Sequence, residues 1–260
     1  MRDLYIALSG AMAQEQRLAI VANNLANLST VGFKQDQAAF ESLLPQIDPA
    51  KIEQSVSPEA QLPPPPSDPL GDRYFAVMSS LFTDYSQGEL RETMNPLDFA
   101  IQGPGFFVLE TDQGERYTRA GAFVLTSKGE LCAPSGDRVL GADGPIRLET
   151  AAVSVAEDGT IYQGETAKGR LRLVQFDDMR VLDKVGKNEF AIASPNAQPR
   201  ETRPEDGATV RQHFLEYSNV NMINEMVRMI ETERSYQMAQ KAIQTIDGAM
   251  GVAIGGPLRG

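Results

Sequence analysis

The stretch Leu215–Met250, LEYSNVNMINEMVRMIETERSYQMAQKAIQTIDGAM, decides how the rest of the chain is read. Met222, Met229, Tyr236, Ile243 and Met250 recur every seventh residue, and Met226, Ala239 and Ile246 fall between them. That spacing puts an apolar stripe on one face of a helix. No glycine or proline interrupts it before Gly248. Glu225 with Arg228, and Glu231 with Arg234, stand at the separation where a helix brings opposite charges together, and are read as its solvent side. A helix of roughly 30 residues is longer than most globular helices and predicts a coiled-coil-like partner.

The opposite end of the chain offers one. Leu4, Ala11, Leu18 and Leu25 also repeat every seven residues, Leu8, Ala22 and Leu28 widen the stripe, and Glu15 is its one charged interruption. The helix exits through Asn23-Asn24-Leu25-Ala26-Asn27-Leu28-Ser29-Thr30-Val31-Gly32, where polar side chains compete for backbone hydrogen bonds and Gly32 can turn left-handed. Ala11-Met12-Ala13 has the form of a leader cleavage site. Asp3 spoils the basic start and the stripe continues past the site, so an uncleaved amino terminus is expected. No apolar run approaches the roughly 18 residues a membrane span needs.

Between the helices the composition shifts twice. Pro45, Pro49, Pro58, Pro63 to Pro66 and Pro69 cannot sustain a helix or a central strand, and predict an extended linker stiffened by polyproline II. Beyond it, turn pairs such as Gln113-Gly114, Lys128-Gly129 and Asp158-Gly159 punctuate short apolar pieces, among them Phe106 to Leu109 and Leu171 to Phe176. Short strands with frequent turns predict a β-rich domain of sandwich or irregular barrel type. The expected fold class is therefore α+β: long N- and C-terminal helices forming a coiled-coil-like pair, with a central β-rich domain. The expected order is a helix and turn at 1–34, a proline-rich linker at 35–73, the β domain at 74–210, and a helix and tail at 211–260.

A formal net charge of -11 without any run of Lys or Arg argues against nucleic acid as a partner. One cysteine, Cys132, excludes an intramolecular disulfide, and one histidine, His213, excludes paired-His zinc sites. Gly103-Pro104-Gly105 leads into a strand and Pro104 has no N–H to offer a phosphate, so it reads as a turn. Asp177-Asp178 has no companion carboxylates at metal-site spacing. No catalytic, cofactor or metal residues are assigned, and no small-molecule substrate is expected. A free coiled-coil adaptor displaying a β recognition domain, and a carboxylate hydrolase, are the other classes the residues leave open.

Three ordered motifs carry a resemblance. Ala22-Asn23-Asn24-Leu25-Ala26-Asn27 with Ser29-Thr30-Val31-Gly32-Phe33-Lys34 resembles the amino-terminal signature of bacterial flagellar rod and hook proteins. Leu215-Glu216-Tyr217-Ser218-Asn219-Val220-Asn221, with Met229-Ile230, Arg234 and Tyr236, resembles their carboxyl-terminal signature. Asn95-Pro96-Leu97-Asp98-Phe99-Ala100-Ile101, Gly103 to Phe107 and Tyr117-Thr118-Arg119-Ala120-Gly121-Ala122-Phe123 are similar to their β domain.

The resemblance implies a structural subunit of the flagellar axial structure. Such a chain is exported through the flagellar type III apparatus and polymerised helically without any cofactor. Its partners would be its own copies and neighbouring rod proteins. Length and the opening Leu4 to Gly10 are most similar to the proximal rod members, with the distal members close behind. On this reading Leu4, Ala11, Leu18 and Leu25 pack with Met222, Met226, Met229, Tyr236 and Ile243, while Asn23, Asn24, Asn27 and Gly32 shape the exit from the first helix.

Overall fold

In the computed structural model, which describes residues 2–43, 75–186, 188–193, 199–202 and 204–255, the run Phe106-Phe107-Val108-Leu109 lies within the strand Phe106–Thr111. Successive side chains of a strand point to opposite faces, so an unbroken apolar run needs burial on both. It has that burial. Phe107 and Leu109 join one cluster with Phe99, Phe123, Leu131 and Val139, whereas Phe106 and Val108 join another with Tyr117, Phe176 and Phe190. The rings meet edge to face, Phe107 on Phe123 at 5.3 Å and Phe106 on Phe190 at 5.8 Å between centroids, the geometry that aromatic quadrupoles favour.

Around this strand a mainly antiparallel sheet runs in the order Leu182–Gly186, Glu189–Ile192, Gly114–Thr118, Phe106–Thr111, Arg138–Gly141, Leu131–Cys132, Val124–Leu125. A three-stranded sheet, Ser154–Val155 with Thr160–Gln163 and Thr166–Arg170, lies outside that order. Two further pairs place the site described below: Thr209–Gln212 on Phe99–Gln102, and Phe214–Glu216 on Leu90–Glu92.

Among the described residues two α-helices accompany the strands, α1 at Arg2–Ala26 and α2 at Met222–Gly255, of 25 and 34 residues. They correct the expected fold class. Among the described residues the fold is a large β-rich region with α1 and α2, and these do not form the expected coiled-coil-like pair. Both apolar clusters are built from residues of the β region, and neither takes a residue from α1 or α2. Met222 and Met226, expected in the seam, are each 48% exposed, and Leu8 and Met12 on α1 are exposed as well. The physical reason lies in the rest of α2. Ile223, Val227 and Ile230 carry apolar surface away from the heptad positions and are also exposed, while the polar Glu225 and Thr232 are buried. With apolar residues on more than the heptad side, part of the apolar surface of α2 lies outside any two-helix seam.

By chain contacts the protein divides into two units. One comprises Met1–Ala22, Gln37–Leu81 and Met226–Gly260; the other comprises Asn23–Asp36 and Phe82–Glu225 and contains the clusters above. Gln35–Leu43 forms a strand that pairs with Phe75–Asp84. The prolines expected to stiffen a linker lie outside the described residues.

Candidate functional site

The residues that bind the two chain ends together all belong to the second unit. Gly32 turns the chain out of α1 with φ +69°, and a Cβ there would stand 2.3 Å from the backbone nitrogen of Ala120, so the position requires glycine both for its conformation and for the close approach. Its N–H donates to the Glu216 carbonyl at 2.7 Å. On the other side, His213 takes φ +64° between the strands Thr209–Gln212 and Phe214–Glu216. That kink lets the chain leave one strand partner for the next. Its N–H donates to the Asp98 carbonyl at 2.8 Å, and its ring Nδ1 lies 3.2 Å from the Asn95 carbonyl.

The two turns deliver Lys34 and Glu216 to one point. Lys34 Nζ lies 2.5 Å from Glu216 Oε1, and Arg119 Nη1 lies 3.1 Å from Glu216 Oε2, with the Lys34 and Glu216 side chains wholly shielded from solvent. The remaining hydrogen-bonding capacity is largely used. Lys34 also donates to the Ser86 carbonyl at 2.6 Å, and the Gly88 N–H donates to Glu216 Oε1 at 2.9 Å. Arg119 Nη2 donates to the Gly103 carbonyl at 2.9 Å, and its guanidinium stands 5.2 Å from the centre of the Phe106 ring. Burial pushes the Lys34 amine below the usual lysine range, and Glu216 opposes that shift. Burial acts on Arg119 in the same direction, again against Glu216. Two cations around one acid, each fixed by a backbone carbonyl, make a structural lock.

Polar bonds continue outward from it. Asn24 is buried, donates from Nδ2 to the Asp36 carbonyl at 2.9 Å and accepts from the Asp36 N–H at 3.0 Å. The Gln35 N–H donates to Asn219 Oδ1 at 2.8 Å, and Gln35 Nε2 donates to Glu225 Oε1 at 2.5 Å. Lys184 Nζ reaches Asp36 Oδ2 at 2.9 Å and sits 3.9 Å above the centre of the Phe33 ring.

The residues singled out from the sequence fall into two groups. Asn24 and Gly32 stand in this lock. Asn27 donates from its side chain to the Asn23 carbonyl at 2.9 Å, and the Asn23 side chain is exposed. Ala11 is buried; Leu18, Leu25, Met229, Tyr236 and Ile243 are half-buried on the helices; Met222 and Met226 are exposed; the side chain of Leu4 lies outside the described residues. Sequence reasoning missed the charges. Lys34, Arg119 and Glu216 entered only as letters of longer motifs, and Glu225, read as solvent-facing, is 1% exposed. No periodicity marks an ion pair whose members are 182 residues apart.

Comparison with known proteins finds three family matches in chain order. Residues 4–34 match a family described as flagella basal body rod protein. Residues 100–163 match the flagellar hook protein FlgE/F/G D1 domain, and residues 211–255 match the flagellar basal body rod FlgEFG protein C-terminal. Each region supplies one member of the lock: Lys34, Arg119 and Glu216. Along its length the chain is 33% identical over 255 residues to the flagellar basal-body rod protein FlgG of Buchnera aphidicola subsp. Schizaphis graminum, covering 94% of this chain and 95% of that one. It is 33% identical over 241 residues to the flagellar basal-body rod protein FlgF of Caulobacter vibrioides, covering 92% and 90%. It is 32% identical over 259 residues to FlgG of Bacillus subtilis, covering 95% and 96%.

Proposed function

The chain belongs to the flagellar basal-body rod protein family and is a structural subunit of the rod, and on that premise we propose how it is built in. It resides in the flagellar basal body and assembles with other rod proteins. The observation that carries the proposal is the surface of α2. Met222, Ile223, Met226, Val227, Ile230 and Met238 are each about half exposed or more. Isolated apolar residues are common on surfaces, but six on one helix mark a face that a partner covers. Repeated head-to-tail contacts of that kind do not close and generate a helical array, which then transmits torque through packed subunits.

The finer reading places this chain at the proximal end of the rod, exported through the flagellar type III apparatus. The opening Leu4 to Gly10 supports the proximal place. Relatives named FlgG and FlgF match to the same degree, so identity alone supports either position. Basal bodies isolated from a strain lacking the chain provide the test. Loss of a proximal subunit leaves no rod beyond the base, whereas loss of a distal one leaves a short rod. An intact rod of full length contradicts the proposal.

A further inference from the structure

We infer that residues 32–36 and 216–225 form a single latch, closed by the Lys34, Glu216 and Arg119 charges, which opens as a unit while the β region stays folded. Three observations carry this. First, neither segment contributes a side chain to the two apolar clusters, whose buried members all lie between Leu97 and Val210. The β region therefore keeps its core when the segments leave. Second, the bonds joining the segments are polar: the Gly32 N–H to the Glu216 carbonyl at 2.7 Å, the Gln35 N–H to Asn219 at 2.8 Å, and Gln35 to Glu225 at 2.5 Å. Phe33 and Val220 are the buried apolar side chains of the two segments.

Third, the charges make closure mutual. Glu216 divides its two carboxylate oxygens between Lys34, from the amino-terminal segment, and Arg119, anchored on the β region by the Gly103 carbonyl. If the amino-terminal segment withdrew alone, Glu216 would lose its Lys34 cation and the Gly32 N–H would leave the Glu216 carbonyl. If the carboxyl-terminal segment withdrew alone, the Lys34 amine would be buried against Arg119 with its acid gone. Withdrawal of either segment alone costs a buried charge one of its partners, so the half-open states are disfavoured and both segments move together. The two halves lie 182 residues apart in sequence. The amino-terminal half therefore cannot close until nearly the whole chain is present, which makes the latch a check on completeness.

Hydrogen exchange on the full-length chain tests the inference. In Glu216→Gln, exchange in residues 32–36 and 216–225 accelerates by a common factor of roughly a hundred or more, while the strand Phe106–Thr111 keeps its protection. Lys34→Met leaves Glu216 with Arg119 and Gly88, and opens the same two segments by a smaller common factor. Acceleration in one segment without the other overturns the inference, as does no acceleration in either. Equal acceleration in Phe106–Thr111, or failure of both variants to fold, overturns it too, because the lock is then part of the global fold.

Discussion

Asn24 and Asn23 are neighbours with opposite fates, and the difference sets what each contributes. Asn24 is buried and satisfies both backbone groups of Asp36, whereas the Asn23 side chain is exposed. Asn24→Ala leaves an N–H and a carbonyl without their partner and should cost about 2 kcal/mol; Asn23→Ala should stay within about 0.5 kcal/mol. Denaturant midpoints of the two variants check this. The asparagine cluster was legible as a helix exit, and Gly32 as a left-handed turn. Which asparagine turns inward depends on the position of Asp36, and the local sequence does not contain that information. Titration adds a second prediction. Burial pushes the hydroxyls of Tyr85 and Tyr117 from 10.0 up to about 12. A raised value means that the folded state holds the proton more tightly, so this stability is complete below pH 10 and is lost as pH climbs towards 12. Lys34, lowered from 10.5, acts with the opposite sign, adding stability as pH rises through the window below 10.5. Melting temperature should therefore hold up to about pH 10 and fall beyond it, with tyrosinate absorbance rising in step. A Tyr85→Phe variant should lose less stability over that range.

Strands and helices differed in how far the sequence revealed them. The apolar run Phe106 to Leu109 and turn pairs such as Asp158-Gly159, where Gly159 takes φ +83°, mark a strand and a turn by local chemistry alone. Both helices were legible from their spacing, but their pairing was not. Counting every seventh residue selected Met222, Met229 and Tyr236 and passed over Ile223, Val227 and Ile230, which widen the apolar surface of α2 past any one seam. It also assigned Glu225 to the solvent because Arg228 stands one turn away. In the folded chain Glu225 is drawn inward by Gln35, a residue at the far end of the sequence. Heptad counting therefore located an apolar helix whose Met229, Tyr236 and Ile243 are half-buried, and passed over the exposed apolar side made by Ile223, Val227 and Ile230.

At the scale of the molecule, the arrangement separates two tasks. The β region carries the two apolar clusters and stands as a body of its own, while the helix α2 presents methionines and branched residues to the outside. Methionine side chains, unbranched and polarisable, adapt to neighbours of differing shape. The family region at 211–255 spans both the Glu216 anchor and the exposed face, so one stretch of sequence joins the lock to the face proposed for assembly. None of the long-range organisation is periodic, which is why the sequence showed it only through resemblance. The central claim is that this chain is built into the rod with the α2 face against neighbouring rod proteins. A photo-crosslinking residue placed at Met226 in intact, purified basal bodies tests it most directly. The account predicts crosslinked species joining this chain to other rod subunits; a chain recovered from the basal body wholly uncrosslinked, or crosslinked only within itself, would contradict it.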